Sequence, residues 1–104
     1  MFEEVDFAGK RVLITAGADG LGLEMAQVFH RAGASVLVCD VNRDRLAALP
    51  GELPGVQAVY ADVSDEDSVA ALFAAVRQTL GGLDILINNA GVAGPCLLYT
   101  SDAA

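Results

Sequence analysis

The sequence has little positive charge, only two cysteines and no tryptophan. Its 6 basic and 14 acidic residues give a formal net charge of −8. A general nucleic-acid binder needs a basic surface to neutralise phosphates, so this balance disfavours that class. Cys39 and Cys96 lack the spacing of a metal site or a disulfide scaffold, which favours a cytoplasmic, reduced protein without a bound metal.

The sequence also lacks a hydrophobic run suited to a membrane span. Its longest uncharged stretch, residues 85–101, is interrupted by asparagine, glycine and proline. The acidic start, residues 1–6, has no apolar core and is unlike a signal peptide. We therefore expect a protein that has neither a membrane nor a nucleic acid as its partner.

Short apolar runs alternate with helical patterns along the chain, which is typical of βαβ units. Strands are predicted at residues 11–15, 36–39, 56–60 and 85–87. Helices are predicted from Leu21 to Ala32, from Asn42 to Leu49 where Pro50 stops the pattern, and from a Ser64 cap to Leu80. Right-handed crossovers would give an α/β fold with a doubly wound parallel sheet in the strand order 3-2-1-4.

The apolar spacing also predicts which helix faces are buried. In the first helix these positions are Leu21, Met25, Val28, Phe29 and Ala32. In the third helix they are Val69, Leu72, Phe73, Val76 and Leu80. A loop is expected over residues 51–55.

Three glycines, Gly17, Gly20 and Gly22, lie in the turn between the first strand and the first helix. Glycine lets the backbone approach a pyrophosphate, and a helix N-terminus directs N–H groups and a positive dipole end at that anion. The alternative is a tight strand-to-helix turn without a ligand. The position between a strong strand and a strong helix favours a dinucleotide cofactor.

Asp40 follows the second strand, 18 positions after Gly22. This is near the spacing of about 20 for an acid that accepts hydrogen bonds from the adenosine ribose. A carboxylate repels a 2′-phosphate, and Asp19 adds negative charge, so the sequence favours NAD over NADP. Arg43 and Arg45 act against that preference. The alternative for Asp40 is a solvated strand end.

Three motifs together resemble the short-chain dehydrogenase/reductase family. Residues 15–22 resemble its Thr-Gly-x-x-x-Gly-x-Gly turn, with Ala16 in place of the first glycine. Asp62-Val63 resembles its Asp-Val pair, and residues 88–91 resemble its Asn-Asn-Ala-Gly motif. Asp84 also matches the family's approach to the fourth strand. We expect cofactor binding to survive the alanine if φ of Ala16 is negative.

The resemblance, which covers Phe7 to about Pro95, implies an NAD(P)-binding Rossmann-like fold. It implies that Thr15 ties the first and fourth strands together and that Asp62 and Val63 contact the adenine. Asn89, Ala90 and Gly91 would line the nicotinamide-side ribose. The predicted cofactor-binding residues are therefore Thr15, Gly17, Ala18, Asp19, Gly20, Leu21, Gly22, Asp40, Asp62, Val63, Asn89, Ala90 and Gly91.

The family's catalytic Tyr-x-x-x-Lys pair and serine have no counterpart in this sequence. Tyr60 is followed four positions on by Ser64, Tyr99 by Ala103, and the single lysine is Lys10. We therefore predict no catalytic residue here and an inactive isolated chain. The resemblance implies that the parent protein is an NAD(H)-dependent oxidoreductase, a homo-oligomer that transfers a hydride between nicotinamide and a small carbonyl or alcohol substrate.

Residues 1–95 are interpreted as the N-terminal part of a single dinucleotide-binding domain, truncated after the fourth strand. Residues 96–104 resemble the translation of a sequencing-library adapter, and the hypothesis is a non-native tail; an ordinary short tail is the alternative. Two other functions stay open, a non-catalytic nucleotide-binding module and a methyltransferase that uses S-adenosylmethionine. The methyltransferase leaves the motif at residues 88–91 unexplained.

Overall fold

The computed structural model of the chain describes residues 6–90, in which strands and helices alternate as predicted. The strands are β1 (Arg11–Thr15), β2 (Ser35–Asp40), β3 (Gln57–Tyr60) and β4 (Ile85–Ile87). The helices are α1 (Gly20–Arg31), α2 (Arg43–Glu52) and α3 (Glu66–Leu80). The strands form one parallel sheet in the order β3-β2-β1-β4, which confirms the predicted order.

The sheet is covered by helices on both faces. Val12 and Ile14 of β1 pack in one cluster with Ala26 of α1 and Leu49 of α2. Leu13, between them in sequence, packs on the opposite face in a cluster with two residues of α3, Leu72 and Val76. Because successive strand residues point to opposite faces, the central strands must be apolar throughout, and this is why their sequences read as continuous hydrophobic runs.

The inner face of α1 agrees only in part with the predicted one, since Met25 and Phe29 pack against the core as predicted. Leu21 and Val28 are 60% and 55% exposed, whereas Gly22 and Ala26 are buried. Apolar residues occur around most of this helix, so periodicity alone could not choose between its faces. The helix lies close to the sheet, and its smallest side chains take the inner positions because they permit that approach.

The second helix is longer than predicted. It continues past Pro50 to Glu52, two residues into the predicted loop. Pro50 has no amide to donate to the carbonyl four residues earlier, but the last turn is still closed by a hydrogen bond from the Leu53 amide to the Leu49 carbonyl at 2.8 Å. Fully buried Leu49 anchors α2 to the sheet.

The cap of α3 is Asp65 and not Ser64 as predicted. The Asp65 carboxylate accepts a hydrogen bond from the Ser68 amide at 3.2 Å. The Ser64 hydroxyl instead donates to the Asp62 carboxylate at 2.6 Å. Both residue types cap helices well, so the sequence pattern was ambiguous by one position.

Two predictions fall outside residues 6–90. They are the role of Gly91 and the boundary between residues 95 and 96. Within the described range, no helix is both long enough and apolar enough to cross a membrane.

Candidate cofactor-binding site

A groove of about 80 Å³ opens at the carboxyl edge of the sheet. It is lined by Ala16, Cys39, Asp40, Val41, Ala61, Asp62, Val63 and Ala90. The strand order reverses around β1, and ligands of open α/β sheets bind in the crevice at such a switch point. The fold thus brings together Asp40, Asp62, Val63 and Ala90, which the sequence placed in one site.

The groove residues and their contacts form two groups, called the two sides of the groove and named here by their strands. The β1–β4 side contains the lining residue Ala16, with Gly22 and Asn89 against it and the bonded pair Thr15 and Asn88 beside it. The β2–β3 side contains the lining residues Asp40 and Asp62, with Tyr60 in register with Asp40 and Arg43 packed on the Tyr60 ring.

The turn from β1 into α1 is packed too closely to admit side chains at two of its glycines. A Cβ at Gly17 would lie 2.6 Å from the Cβ of Val38. A Cβ at Gly22 would overlap the carbonyl oxygen of Ala16 and lie 2.8 Å from Nδ2 of Asn89. The backbone of the turn therefore lies directly against the ends of β2 and β4.

The start of α1 is open to an approaching group. Gly20 has a φ of +56°, and no atom lies within 4 Å of the position that a Cβ would take. Asp19 caps the helix, its carboxylate accepting from the Gly20 amide at 2.9 Å, and Leu21 is exposed. The first-turn amides of a helix have no partner within it, so this terminus offers donors and a positive dipole end to an anion.

Ala16 has a φ of +53°, so the condition under which cofactor binding was expected to survive the alanine, a negative φ, is not met. The left-handed conformation costs a residue with a Cβ about 1–2 kcal/mol. The conformation is held from outside, since Nδ2 of Asn89 donates to the Ala16 carbonyl at 3.2 Å. The alanine therefore occupies a position whose backbone conformation favours glycine.

Thr15 joins β1 to the segment after β4, as the resemblance implied. The side chain is buried, with 4% of its surface exposed. Its hydroxyl donates to Oδ1 of Asn88 at 3.1 Å and accepts from the Ala90 amide at 2.9 Å. The hydroxyl thus satisfies one acceptor and one donor that lie 73 and 75 positions away in the chain.

Asp40 is held between the glycine turn and the start of α2. One carboxylate oxygen accepts from the Ala18 amide at 3.1 Å, and the other accepts from the Asn42 amide at 3.1 Å. A carboxylate has about four acceptor positions, so both oxygens keep capacity for further donors. Fully buried Ala18 fixes the turn to this carboxylate.

Two other groups of the groove have shifted pKa values. The Ser64 hydroxyl and amide both donate to Asp62, which lowers the pKa of that carboxyl. Burial raises the pKa of the Cys39 thiol to about 11, so this side chain is a neutral thiol near pH 7 and a poor nucleophile. Val63, next to Asp62, is 40% exposed.

The sequence did not predict how the arginines near Asp40 are paired. The Arg43 guanidinium lies 3.9 Å from the centre of the Tyr60 ring. Arg45 forms an ion pair with Glu52 at 2.6 Å. Arg43 and Tyr60 belong to different elements, so spacing along the chain carries no signal for their contact, and the Asn88 side of the Thr15 bond was missed for the same reason. Arg45 and Glu52 are seven positions apart in α2, a helical spacing from which their pairing could have been predicted.

Comparison with known proteins gives a consistent result. A family model described as short chain dehydrogenase matches residues 10–103. A short chain dehydrogenase/reductase, dpchG, from Colletotrichum higginsianum is 43% identical over 89 residues, which cover 82% of this chain and 33% of that protein. The 3beta-hydroxysteroid dehydrogenase 2 of Eggerthella lenta is 43% identical, with coverages of 82% and 34%.

Two further matches extend this result. The L-fucose dehydrogenase of Bos taurus is 37% identical, covering 86% of this chain and 33% of that protein. A crystal structure of a short chain dehydrogenase from Mycobacterium smegmatis superposes with a TM-score of 0.78 at 36% identity, covering 85% of this chain and 38% of that one. The chain thus spans about a third of the length of these curated relatives.

Proposed function

The chain belongs to the short-chain dehydrogenase family, and from this premise we propose that it forms the cofactor-binding part of an NAD(H)-dependent oxidoreductase. The parent protein would transfer a hydride between nicotinamide and a carbonyl or alcohol carbon. The observation that carries the proposal is the groove at the carboxyl edge of the parallel sheet, which Asp40 lines and to which the turn into the open N-terminus of α1 is joined through the bond from the Ala18 amide to Asp40.

The glycine turn is the proposed site of the pyrophosphate. The space beside Gly20 is open, while the close packing at Gly17 and Gly22 keeps the turn flat against the strands. A pyrophosphate needs backbone amides at close range, and the first turn of α1, with the nearby backbone of Asp19 and Leu21, would supply them, while the Ala18 amide is taken by Asp40. The turn therefore fits this group without requiring a basic side chain.

Asp40 is the proposed partner of the adenosine ribose. Its oxygens are already oriented by the amides of Ala18 and Asn42, and each keeps acceptor capacity for a ribose hydroxyl. A 2′-phosphate would place a second negative group beside this carboxylate and near Asp19 and Asp62. This repulsion is the basis for proposing NAD and not NADP.

The remaining groove residues complete the proposed cofactor contacts. Asp62 and Val63 would hold the adenine, and Thr15, Asn89 and Ala90 would shape the region of the nicotinamide-side ribose. Gly91 is proposed to contribute there as well, by resemblance alone. A bound nicotinamide would supply the hydride acceptor or donor, and the chain's own residues would bind and orient it.

Binding experiments test this proposal. Calorimetric titration of the 104-residue chain should give tighter binding of NAD than of NADP. Asp40→Asn removes the charge but keeps the shape of the side chain. It should lower the ratio of the NADP dissociation constant to the NAD dissociation constant about tenfold, which corresponds to the loss of a charged hydrogen bond. Asp44→Asn is the matched control, because it removes an exposed charge of α2 outside the groove lining.

The outcomes separate the proposed function from its rivals. Equal effects of Asp40→Asn and Asp44→Asn would show that only overall charge matters. Displacement of bound NAD by S-adenosylmethionine at similar concentration would favour the methyltransferase. Absence of NAD binding by the folded chain would overturn the proposal.

A second candidate is a nucleotide-binding module without chemistry of its own. The presence of the proposed nucleotide-binding groove in a chain that spans about a third of the length of its relatives fits both candidates. We propose that residues 96–104 are an adapter-derived tail, and resequencing the source DNA across their codons tests this. A reading frame that continues into a serine and Tyr-x-x-x-Lys supports the enzyme; a stop after Ala104 supports the module. Cytoplasmic localisation and homo-oligomerisation of the parent stay predictions.

A further inference from the structure

Two arginines, Arg43 and Arg45, follow Asp40 in the chain, and their guanidinium groups are held in different ways. Arg43 and Arg45 occupy the first turn of α2, directly after the segment that begins at Asp40. If NAD is preferred, both cations must be kept from neutralising a phosphate on the adenosine ribose. The contacts that hold each guanidinium group therefore affect the choice between NAD and NADP.

Arg45 is held firmly. Its guanidinium donates to the two carboxylate oxygens of Glu52 at 2.6 and 3.1 Å, and to the Ala18 carbonyl at 3.2 Å. It also lies 3.8 Å from the Asp19 carboxylate. A bidentate pair with an added backbone bond fixes both the position and the direction of a guanidinium.

Arg43 is held by an aromatic ring. Its guanidinium carbon lies 3.9 Å from the centre of the Tyr60 ring. Within residues 6–90, this ring is the partner that the structure gives to the Arg43 guanidinium. Arg43 is exposed, and Tyr60 is 43% exposed. A cation on an exposed ring is attracted far more weakly than one in a bidentate ion pair, so a dianionic ligand could draw Arg43 away.

The ring lies next to the proposed ribose site. Asp40 and Tyr60 are directly opposite in the β2–β3 register, so their side chains leave the same face of the sheet. Arg43 follows Asp40 by three residues and stacks on the ring from α2. The cation is therefore held one strand away from the carboxylate that would meet the ribose.

We propose that Tyr60 determines cofactor specificity by holding Arg43 away from the 2′-position of the adenosine ribose; this rests on the proposed function. A ribose with a free 2′-hydroxyl bonds to Asp40, and Arg43 stays stacked on the Tyr60 ring. A 2′-phosphate is repelled by Asp40 and is bound well only if Arg43 leaves the ring. Tyr60 thus increases the preference for NAD over NADP that the charge of Asp40 produces.

Two matched nucleotides test this inference on the full chain. Adenosine 5′-monophosphate and adenosine 2′,5′-bisphosphate differ only in the 2′-phosphate. Tyr60→Leu removes the π face and keeps an apolar side chain, so it should improve bisphosphate binding relative to monophosphate about two- to fivefold, the range for an exposed cation–π contact. Tyr60→Phe keeps the ring and should leave the ratio unchanged.

The double variant isolates the role of Arg43. In an Arg43→Ala background, Tyr60→Leu should no longer change the ratio. A gain of the same size in that background would overturn the inference, as would an unchanged ratio in Tyr60→Leu alone. If the folded wild-type chain binds neither nucleotide, the proposed function fails and this inference fails with it.

A spectroscopic measurement follows the stack directly. The Arg43 side-chain protons lie over the Tyr60 ring, so their NMR signals should be shifted upfield in the wild type and in Tyr60→Phe. Adding the bisphosphate should remove this shift, whereas adding the monophosphate should not. A shift that persists with bound bisphosphate would show that Arg43 stays on the ring and would overturn the proposal.

Discussion

The two sides of the groove are stabilised by different kinds of interaction. On the β1–β4 side, buried Thr15 bonds to exposed Asn88, half-buried Asn89 bonds to the Ala16 carbonyl, and Gly22 is packed directly against that carbonyl. On the β2–β3 side, charged and aromatic groups are partly exposed, and a ring holds the Arg43 cation. On the β1–β4 side, close packing determines which residues fit, and Gly22 has no room for an added Cβ. The β2–β3 side is specified by charge and should respond to salt and to charge substitutions.

The largest effect is expected where the β1–β4 side is most crowded. Gly22→Ala places a methyl group against the Ala16 carbonyl and Asn89. Overpacking of this kind typically costs 1–3 kcal/mol, and here the obstacle is backbone, so we expect about 3 kcal/mol. The urea midpoint should fall, and nucleotide binding should be lost.

The matched control for this substitution is Gly51→Ala. Gly51 lies within α2, and its added Cβ would meet no atom within 4 Å. We expect unchanged or slightly higher stability, because alanine favours a helix over glycine by about 1 kcal/mol. Similar destabilisation by both alanines would mean that close approach at Gly22 is not the cause.

The next largest effect concerns the bond between β1 and the segment after β4. Thr15→Val keeps the volume of the side chain but leaves Oδ1 of Asn88 and the Ala90 amide without this partner. Asn88 is exposed and its Oδ1 can bond water instead, so the expected cost is that of a lost hydrogen bond, about 1 kcal/mol. Thr15→Ser retains the hydroxyl and should lose less stability than Thr15→Val in chemical denaturation. The reverse order would assign the role of Thr15 to its methyl group.

A gain in stability is expected at the strained position of the same side. Ala16→Gly removes the Cβ from a residue with a φ of +53°. The relief of strain exceeds the extra entropy of an unfolded glycine, so we expect a gain of about 0.5–1 kcal/mol. Thermal unfolding measures it as a higher Tm. A lower Tm would mean that contacts of the Ala16 methyl group outweigh the strain.

The smallest effect lies at the amino end of β1 and β4. The Asp84 carboxylate accepts from the Arg11 guanidinium at 2.9 Å, and this bond lowers the pKa of Asp84 to about 2. A lowered folded-state pKa contributes stability above the usual carboxyl pKa and loses it as the pH falls from about 4 to 2. The pair is partly exposed, so the contribution is small.

The pH dependence of unfolding checks this sign. The stability difference between the wild type and Asp84→Asn should be present at pH 5 and shrink toward pH 2. The amide cannot ionise, so a difference that stays constant over this range would exclude the ion pair as its source.

Much of the fold was predictable because the β1 and β2 sequences are apolar on both faces and end in recognisable turns. The predicted strand order and the meeting of Asp40 with Asp62 and Val63 in one groove follow from parallel strands sharing a carboxyl edge. The inner face of α1 was predicted correctly at Met25 and Phe29 and wrongly at Leu21 and Val28, because apolar residues occur around most of this helix.

The local conformations of the site were less predictable. The Ala16 carbonyl is bonded by Asn89, which lies 73 positions away in the chain. The residues next to Ala16 therefore do not predict its positive φ. The stack of Arg43 on Tyr60 likewise joins α2 to β3. Such contacts depend on tertiary structure, and a motif fixes only which residue types meet.

The bond between Thr15 and Asn88 also has a consequence for the order of folding. It closes a loop of 73 positions, whereas β1 and β2 pair across a single helix. Loop closure costs more entropy as the loop grows, so we expect β1 and β2 to pair early and β4 to join last. In pulsed hydrogen exchange, the Ala90 amide should become protected after that of Val38. A nascent chain would then acquire most of its core before it can hold a nucleotide.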